Sequence, residues 1–343
     1  MHTDTLLTWT RRDTLRRLTA AAGVGIFGLK AHRAVALPQL ETSNIRLFFD
    51  PDFSPLCFAP QYLTEEFLKL EGFSVLRYDG WGDASSAAQV LEEDRVDIAA
   101  ELASAYLTAI DQGAPIVVLA GLHAGCAEMF ASSRVTSVQD LAGKRVVIGG
   151  VGGPEQVFIS TVISYVGLDP NNDIEWVVAD YDAFPDLLEA EDVDIVFAFP
   201  PLNLQLRERD IGHVILNTTT DDPWRHFFCC MVAARREFVR DYPIATKAAL
   251  RAFVKAGQLC DIDKEGAARR LVERGVTNRL DYALKTLQDV PYGAWRTYDP
   301  QDTMRFFALR LREVGQVEST PNELLEQGTD FRFIEEIRQE LKL

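Results

Sequence analysis

Nowhere in the 343 residues is there a run of about eighteen uncharged apolar residues, so no transmembrane helix is predicted. Cations are scarce: 35 Lys+Arg stand against 51 Asp+Glu, a formal charge of −16. That deficit excludes nucleic acid and anionic membrane surfaces as partners, since both need clustered Lys and Arg. Cysteine is sparse and odd in number: Cys57, Cys126, Cys229, Cys230 and Cys260. Five thiols cannot all pair within one chain, and their spacing matches no zinc pattern. The sequence also lacks a G-x-S-x-G elbow, an H-E-x-x-H helix and the Gly-Lys-Ser/Thr of a P-loop. No segment is low-complexity, and no long Gly/Ser/Pro linker divides the chain. What is present is an ordinary globular composition, 47% hydrophobic and 25% charged, on a chain long enough for two lobes.

The first 36 residues read as an export signal. Arg11, Arg12, Arg16 and Arg17 form a basic region, Leu18 to Leu29 is apolar, and Ala34-Val35-Ala36 is a small-x-small cleavage site. The Arg11-Arg12 pair resembles a twin-arginine signal, although Arg16 and Arg17 interrupt the usual apolar start. Cleavage after Ala36 and a periplasmic location are expected. That cleavage removes six basic and two acidic residues and leaves a net charge of −20. The competing reading is an amphipathic first helix.

Beyond the signal, short β-rich runs alternate with helical runs, the pattern of βαβ units around mostly parallel sheets. Strands are predicted at 45–49, 75–78, 96–100 and 116–120, then again at 145–149, 175–178 and 195–199, and helices at 60–70 and 103–111 are stopped by Gly72 and Gly113. The segments at 91–98 and 188–195 both end an acidic helix and enter a strand through Val-Asp-Ile, 97 residues apart. The same order of elements around each implies two similar lobes. A further β-like run is predicted over 227–234, followed by an almost entirely helical tail. Two lobes without a linker imply a chain that crosses between them more than once, with a ligand cleft between.

The sharpest local signal is Gly149-Gly150-Val151-Gly152-Gly153-Pro154-Glu155, between a strand and an apolar-faced helix. Backbone N–H groups at such a helix start can receive an oxygen-bearing or anionic group. Other strand ends carry Ser54 and Cys57, Glu101 and Ser104, His123 with Cys126 and Glu128, and Phe199 and Pro200. Trp224 precedes the last β-like run. Ligands of open α/β sheets collect at such ends. His123 and Cys126 are spaced to act as a Cys–His pair or as two metal ligands, with Glu101 or Glu128 completing a set. Cys229 and Cys230 lie in a strand-like run, where neighbouring side chains face opposite ways, so a shared metal is not expected of them. Buried packing is the expectation for the thiols, and no metal or cofactor is predicted.

Five segments carry a family resemblance: Ala59-Pro60-Gln61-Tyr62-Leu63, Val96-Asp97-Ile98-Ala99, Asp140-Leu141-Ala142-Gly143-Lys144-Arg145-Val146, Tyr165-Val166-Gly167-Leu168-Asp169-Pro170, and Phe238-Val239 with Tyr242-Pro243. With these the chain resembles the periplasmic solute-binding proteins of ABC transporters. The group is the NMT1/THI5-like one, which includes nitrate-, sulfonate- and taurine-binding and thiamine-pyrimidine-related proteins. The resemblance implies an α/β, two-lobed type II binding-protein fold (a Venus flytrap), with lobe one at about 44–130 plus 230–343 and lobe two at about 131–229. It implies an extracytoplasmic receptor that is not an enzyme, a small-molecule ligand and a membrane permease partner. By the same resemblance the ligand touches Ser54 to Cys57, Glu101, Ser104, His123, the Gly152-Gly153-Pro154 turn with Glu155, and Phe199-Pro200. Glu101, Glu128 and Glu155 around this cleft oppose an anion. A neutral or amine-bearing molecule is therefore expected, with an aromatic ring stacked on Phe53, Phe58 or Trp224. The alternatives are an enzyme resembling the thiamine-pyrimidine synthase, of which Cys229-Cys230 is a faint echo, and a ligand sensor for a membrane kinase.

Overall fold

The computed structural model describes residues 39–51 and 54–341. The predicted export signal and Phe53 lie outside the described residues. The described residues form one compact unit. Ten strands build it: β1 (Asn44–Phe48), β2 (Val75–Asp79), β3 (Ile98–Leu102), β4 (Ile116–Ala124), β5 (Glu128–Ala131), β6 (Lys144–Ile148), β7 (Ile174–Val178), β8 (Ile195–Ala198), β9 (His213–Asn217) and β10 (Phe228–Arg235). They form two sheets of five, ordered β2-β1-β3-β10-β4 and β7-β6-β8-β5-β9. Helices cover both, and the molecule is a two-lobed type II periplasmic-binding-protein fold. Among the described residues no helix is long and apolar enough to cross a membrane.

The two sheets repeat one design. In each, the first strand pairs in parallel with the second and third, and one strand runs antiparallel beside the third. That antiparallel strand is the one that has crossed from the other lobe. Helices connect the successive parallel strands of each sheet, as the crossover connection of a βαβ unit requires.

The Val-Asp-Ile segments show why the repeat is legible. The Asp97 carboxylate accepts the Arg46 backbone N–H at 2.8 Å and the Arg46 Nε at 3.1 Å. The Asp194 carboxylate accepts the Arg145 N–H at 2.9 Å and the Arg134 Nε at 2.7 Å. Each aspartate also donates its own N–H to the carbonyl of the same strand arginine, at 2.9 and 2.8 Å. Arg235 at the end of β10 and Arg134 just past β5 complete the two clusters. Both aspartates are buried, so each charge needs these partners. D97A and D194A are each expected to cost about 2–3 kcal/mol, the range for a hydrogen bond to a buried charge. Urea unfolding checks this, and a loss under about 0.5 kcal/mol would contradict it.

Three sequence expectations shift. The helix predicted over 60–70 is broken at Leu63 into Ala59–Tyr62 and Thr64–Glu71. The strand predicted at 116–120 continues to Ala124. Two strands, β5 and β9, were not expected. Both are short, and β5 follows β4 after three residues, so the pair reads as a single apolar run.

Candidate functional site

The loops leaving the carboxyl ends of the parallel strands in both sheets converge on a cavity of about 250 Å³. Cys57 and Phe58 follow β1, Trp81 follows β2, and Glu101 sits at the end of β3. From the other lobe come Gly149 and Gly150 after β6, Tyr181 after β7 and Phe199 after β8, with Glu155 in the first turn of helix Pro154–Tyr165. The Leu56 N–H donates to the Pro200 carbonyl at 2.9 Å, tying the loops of the two lobes beside the cavity.

Two buried carboxyl groups define its electrostatics. Glu101 accepts the N–H of Ala87 at 3.0 Å and that of Leu102 at 2.8 Å. Ala87 opens helix Ala87–Glu92, so the carboxyl group lies at the positive end of that helix. Burial nevertheless pushes the Glu101 pKa up to about 7, against the pull of those two hydrogen bonds. Burial also raises Glu155, opposed by the hydrogen bond it accepts from the Tyr181 hydroxyl. No Lys, Arg or His stands among the residues lining the cavity. Its remaining wall is largely aromatic and aliphatic, the usual make-up of a small-molecule site.

Around this cavity the structure gathers Cys57, Phe58, Glu101, Cys126, Phe199 and, from the glycine-rich turn and its helix, Gly149, Gly150, Gly153, Pro154 and Glu155. The others go elsewhere. Ser54 donates its hydroxyl to the Asp50 carbonyl and closes its own loop. Ser104 is buried within helix Ala103–Asp111. His123 lies behind Cys57 and Cys126. Gly152 faces a separate hollow with Ser85 and Gln156, and Pro200 faces another with Glu128 and Arg207. Trp224 packs into an aromatic core with Phe158, Tyr165, Phe306 and Phe307 and does not line the cavity.

Two readings need correction. Glu128 does not face the cavity: it accepts the Arg207 Nε at 3.0 Å and an Asn217 amide N–H at 2.7 Å. The glycine-rich turn is not an open anion cradle. Its Gly152 N–H is taken by the Gln156 side chain at 2.6 Å, and its Gly153 N–H by the Gly150 carbonyl at 3.2 Å. The carboxyl group of Glu155 already occupies the first turn of the helix.

Trp81 and Tyr181 were missed. Each stands two or three residues past a parallel strand, so the strand-end rule that found Glu101 and Phe199 would also have found them.

Comparison with solved structures places this architecture. The periplasmic nitrate-binding protein of Synechocystis PCC 6803 superposes with a TM-score of 0.69 at 18% identity, over 88% of this chain and 90% of that one. The alkanesulfonate-binding protein of Xanthomonas axonopodis pv. citri, bound to MOPS, gives 0.61 at 16% identity, over 81% and 96%. A desulfurization enzyme gives 0.56 at 14% identity, over 88% and 99%. Among curated protein sequences none matches. The model of the NMT1-like family matches residues 64–277, more than half of the chain. With that match and the two-lobed fold, the chain belongs to the NMT1-like family.

Proposed function

We propose that this protein is the extracytoplasmic receptor of an ABC-type importer, and that it captures a small neutral or amine-bearing organic molecule between its lobes for delivery to a membrane permease. The observation that carries the ligand class is the pairing of Glu101 and Glu155 on a cavity lined by no cationic side chain. A nitrate or sulfonate placed there would meet two carboxyl groups and no counter-charge. An ammonium group would meet acceptors, and the rings of Phe58, Trp81, Tyr181 and Phe199 offer stacking and cation–π faces.

One fold carries binding proteins and an enzyme alike, so role is argued from the site. The receptor reading is supported by a cavity built from both lobes, the geometry in which closure buries a ligand.

Purified mature protein, screened by native mass spectrometry and thermal shift, tests the reading. The probes are small primary amines, quaternary ammonium compounds and aminopyrimidines, set against nitrate, taurine and alkanesulfonates. Micromolar or tighter binding is expected from the first set. That binding should weaken at least about tenfold in E155Q, the loss of one charge-assisted contact. Micromolar binding of nitrate or an alkanesulfonate with none from the amines would overturn it.

A further inference from the structure

Four of the five cysteines and one histidine meet at a single place. Cys57 comes from the turn Leu56–Phe58, His123 from the end of β4, Cys126 from the crossover to the second lobe, and Cys229 and Cys230 from the start of β10. All five residues are buried, His123 completely. The donor atoms of Cys57, His123 and Cys126 lie within 4.8 Å of one another, and so do those of Cys126, Cys229 and Cys230. Cys126 belongs to both sets, and its sulfur lies 3.5 Å from that of Cys229.

Regular strand geometry forbids the second set, because Cys229 and Cys230 would face opposite sides. The ladder between β10 and β4 is not regular. Its register shifts between Phe228 and Cys230 and again between Cys230 and Met231. Such bulges re-aim side chains, and they occur beside functional sites. Here they bring both sulfurs toward Cys126.

His123 supplies the second observation. Its Nδ1 lies 2.8 Å from the Gly125 carbonyl, an acceptor, so Nδ1 carries the proton and donates it. In the neutral ring the lone pair is then on Nε2, which is buried and has no hydrogen-bond partner. A backbone carbonyl that holds one ring nitrogen while the other is left without a partner is the arrangement of a metal-ligating histidine. The fifth thiol is the internal contrast: Cys260 is buried in helix Pro243–Ile262, outside both sets. It behaves as a small apolar residue.

We propose that Cys57, His123 and Cys126 form a soft-metal site for a monovalent ion of the Cu(I) class, with Cys229 and Cys230 as a reserve of thiol donors around the shared Cys126. Thiolate and imidazole donors select soft ions. Each set offers three donors, whereas structural zinc takes four in a tetrahedron. Cys57, Cys126 and Cys230 line the cavity, which gives the ion a path of entry.

The test is anaerobic titration of the reduced mature protein with Cu(I) in competition with a chromophoric Cu(I) chelator, with native mass spectrometry of the product. One ion per chain is expected, accompanied by a thiolate-to-copper absorption band. C126A, which removes the donor common to both sets, should lower the affinity at least about 100-fold. H123A should lower it less, and C260A should leave it unchanged. Near-UV circular dichroism identifies any variant that fails to fold, and a C57A/H123A double variant then replaces it. Failure of the wild type to compete for Cu(I), retention of full affinity by C126A, or preferential uptake of Zn(II) over Cu(I) would each overturn the proposal. None of these readouts depends on the amine-binding reading.

Discussion

W224A is expected to lose about 3–5 kcal/mol of stability while keeping ligand affinity within a few-fold of wild type. The indole sits in the second crossover, between the two sheets. Its ring centroid is 5.7 Å from Phe158 and 5.8 Å from Tyr165, both on helix Pro154–Tyr165. It is 5.4 Å from Phe306 and 6.2 Å from Phe307 on helix Pro300–Glu313. Phe158 in turn stacks on Phe197 of β8 at 5.0 Å. The cluster therefore joins the second lobe to the C-terminal helices. Alanine removes the largest ring and leaves a cavity among groups that are themselves fixed, which is where collapse is least able to recover the loss. Denaturant unfolding gives the stability change, and titration with whichever probe binds gives the affinity. A large loss of affinity at unchanged stability would instead return Trp224 to the ligand site.

The second large effect is on pH dependence. The Glu101 carboxyl group has a pKa of about 7 in the folded protein, above its ordinary value of 4.5. Its folded-state pKa is raised, so its contribution to stability is full below the unfolded pKa and fades as pH rises through 7. Between pH 5 and pH 8 the wild type should lose about 2.5 kcal/mol from this group alone. E101Q cannot titrate there. Its amide introduces a fixed cost by setting an N–H₂ against the Ala87 or Leu102 N–H, and that cost does not change with pH. The expected result is that the stability of E101Q relative to wild type improves by about 2.5 kcal/mol from pH 5 to pH 8. Urea unfolding across that range measures it, and parallel curves would show that Glu101 stays ionised throughout. The same protonation bears on binding: an ammonium ligand pairs with the ionised carboxylate, so its affinity should rise up to about tenfold per pH unit below 7.

Much of the architecture was legible because it rests on local rules. Alternating β-rich and helical runs, stopped by glycines such as Gly72 and Gly113, marked the βαβ units. The paired Val-Asp-Ile segments revealed the repeat, since a buried aspartate that ties a strand to a neighbouring arginine must recur wherever that junction recurs. Glu101 and Phe199 could be named from strand ends alone. The short strands β5 and β9 could not, because their pairing partners are far away in sequence and nothing local marks a strand of four or five residues.

What tertiary structure decided was partnership. Trp224, Ser104 and Glu128 carry the same residue types as site groups, yet packing assigned the first two to the interior and Arg207 neutralised the third. The amides of the glycine turn were spent on Gln156 and Gly150, which no spacing rule foresees. The Cys–His cluster is the clearest case. The sequence held Cys57, His123, Cys126, Cys229 and Cys230 across more than 170 residues, and strand alternation argued against the last two acting together. Only a bulge in β10 and a crossover beside it could bring the five together. Composition and periodicity thus determined the lobes, their repeat and an acidic cleft, because those follow from burial and backbone geometry. Which side chains share a wall was left to long-range packing, because contact between residues distant in the chain is not encoded in any local pattern.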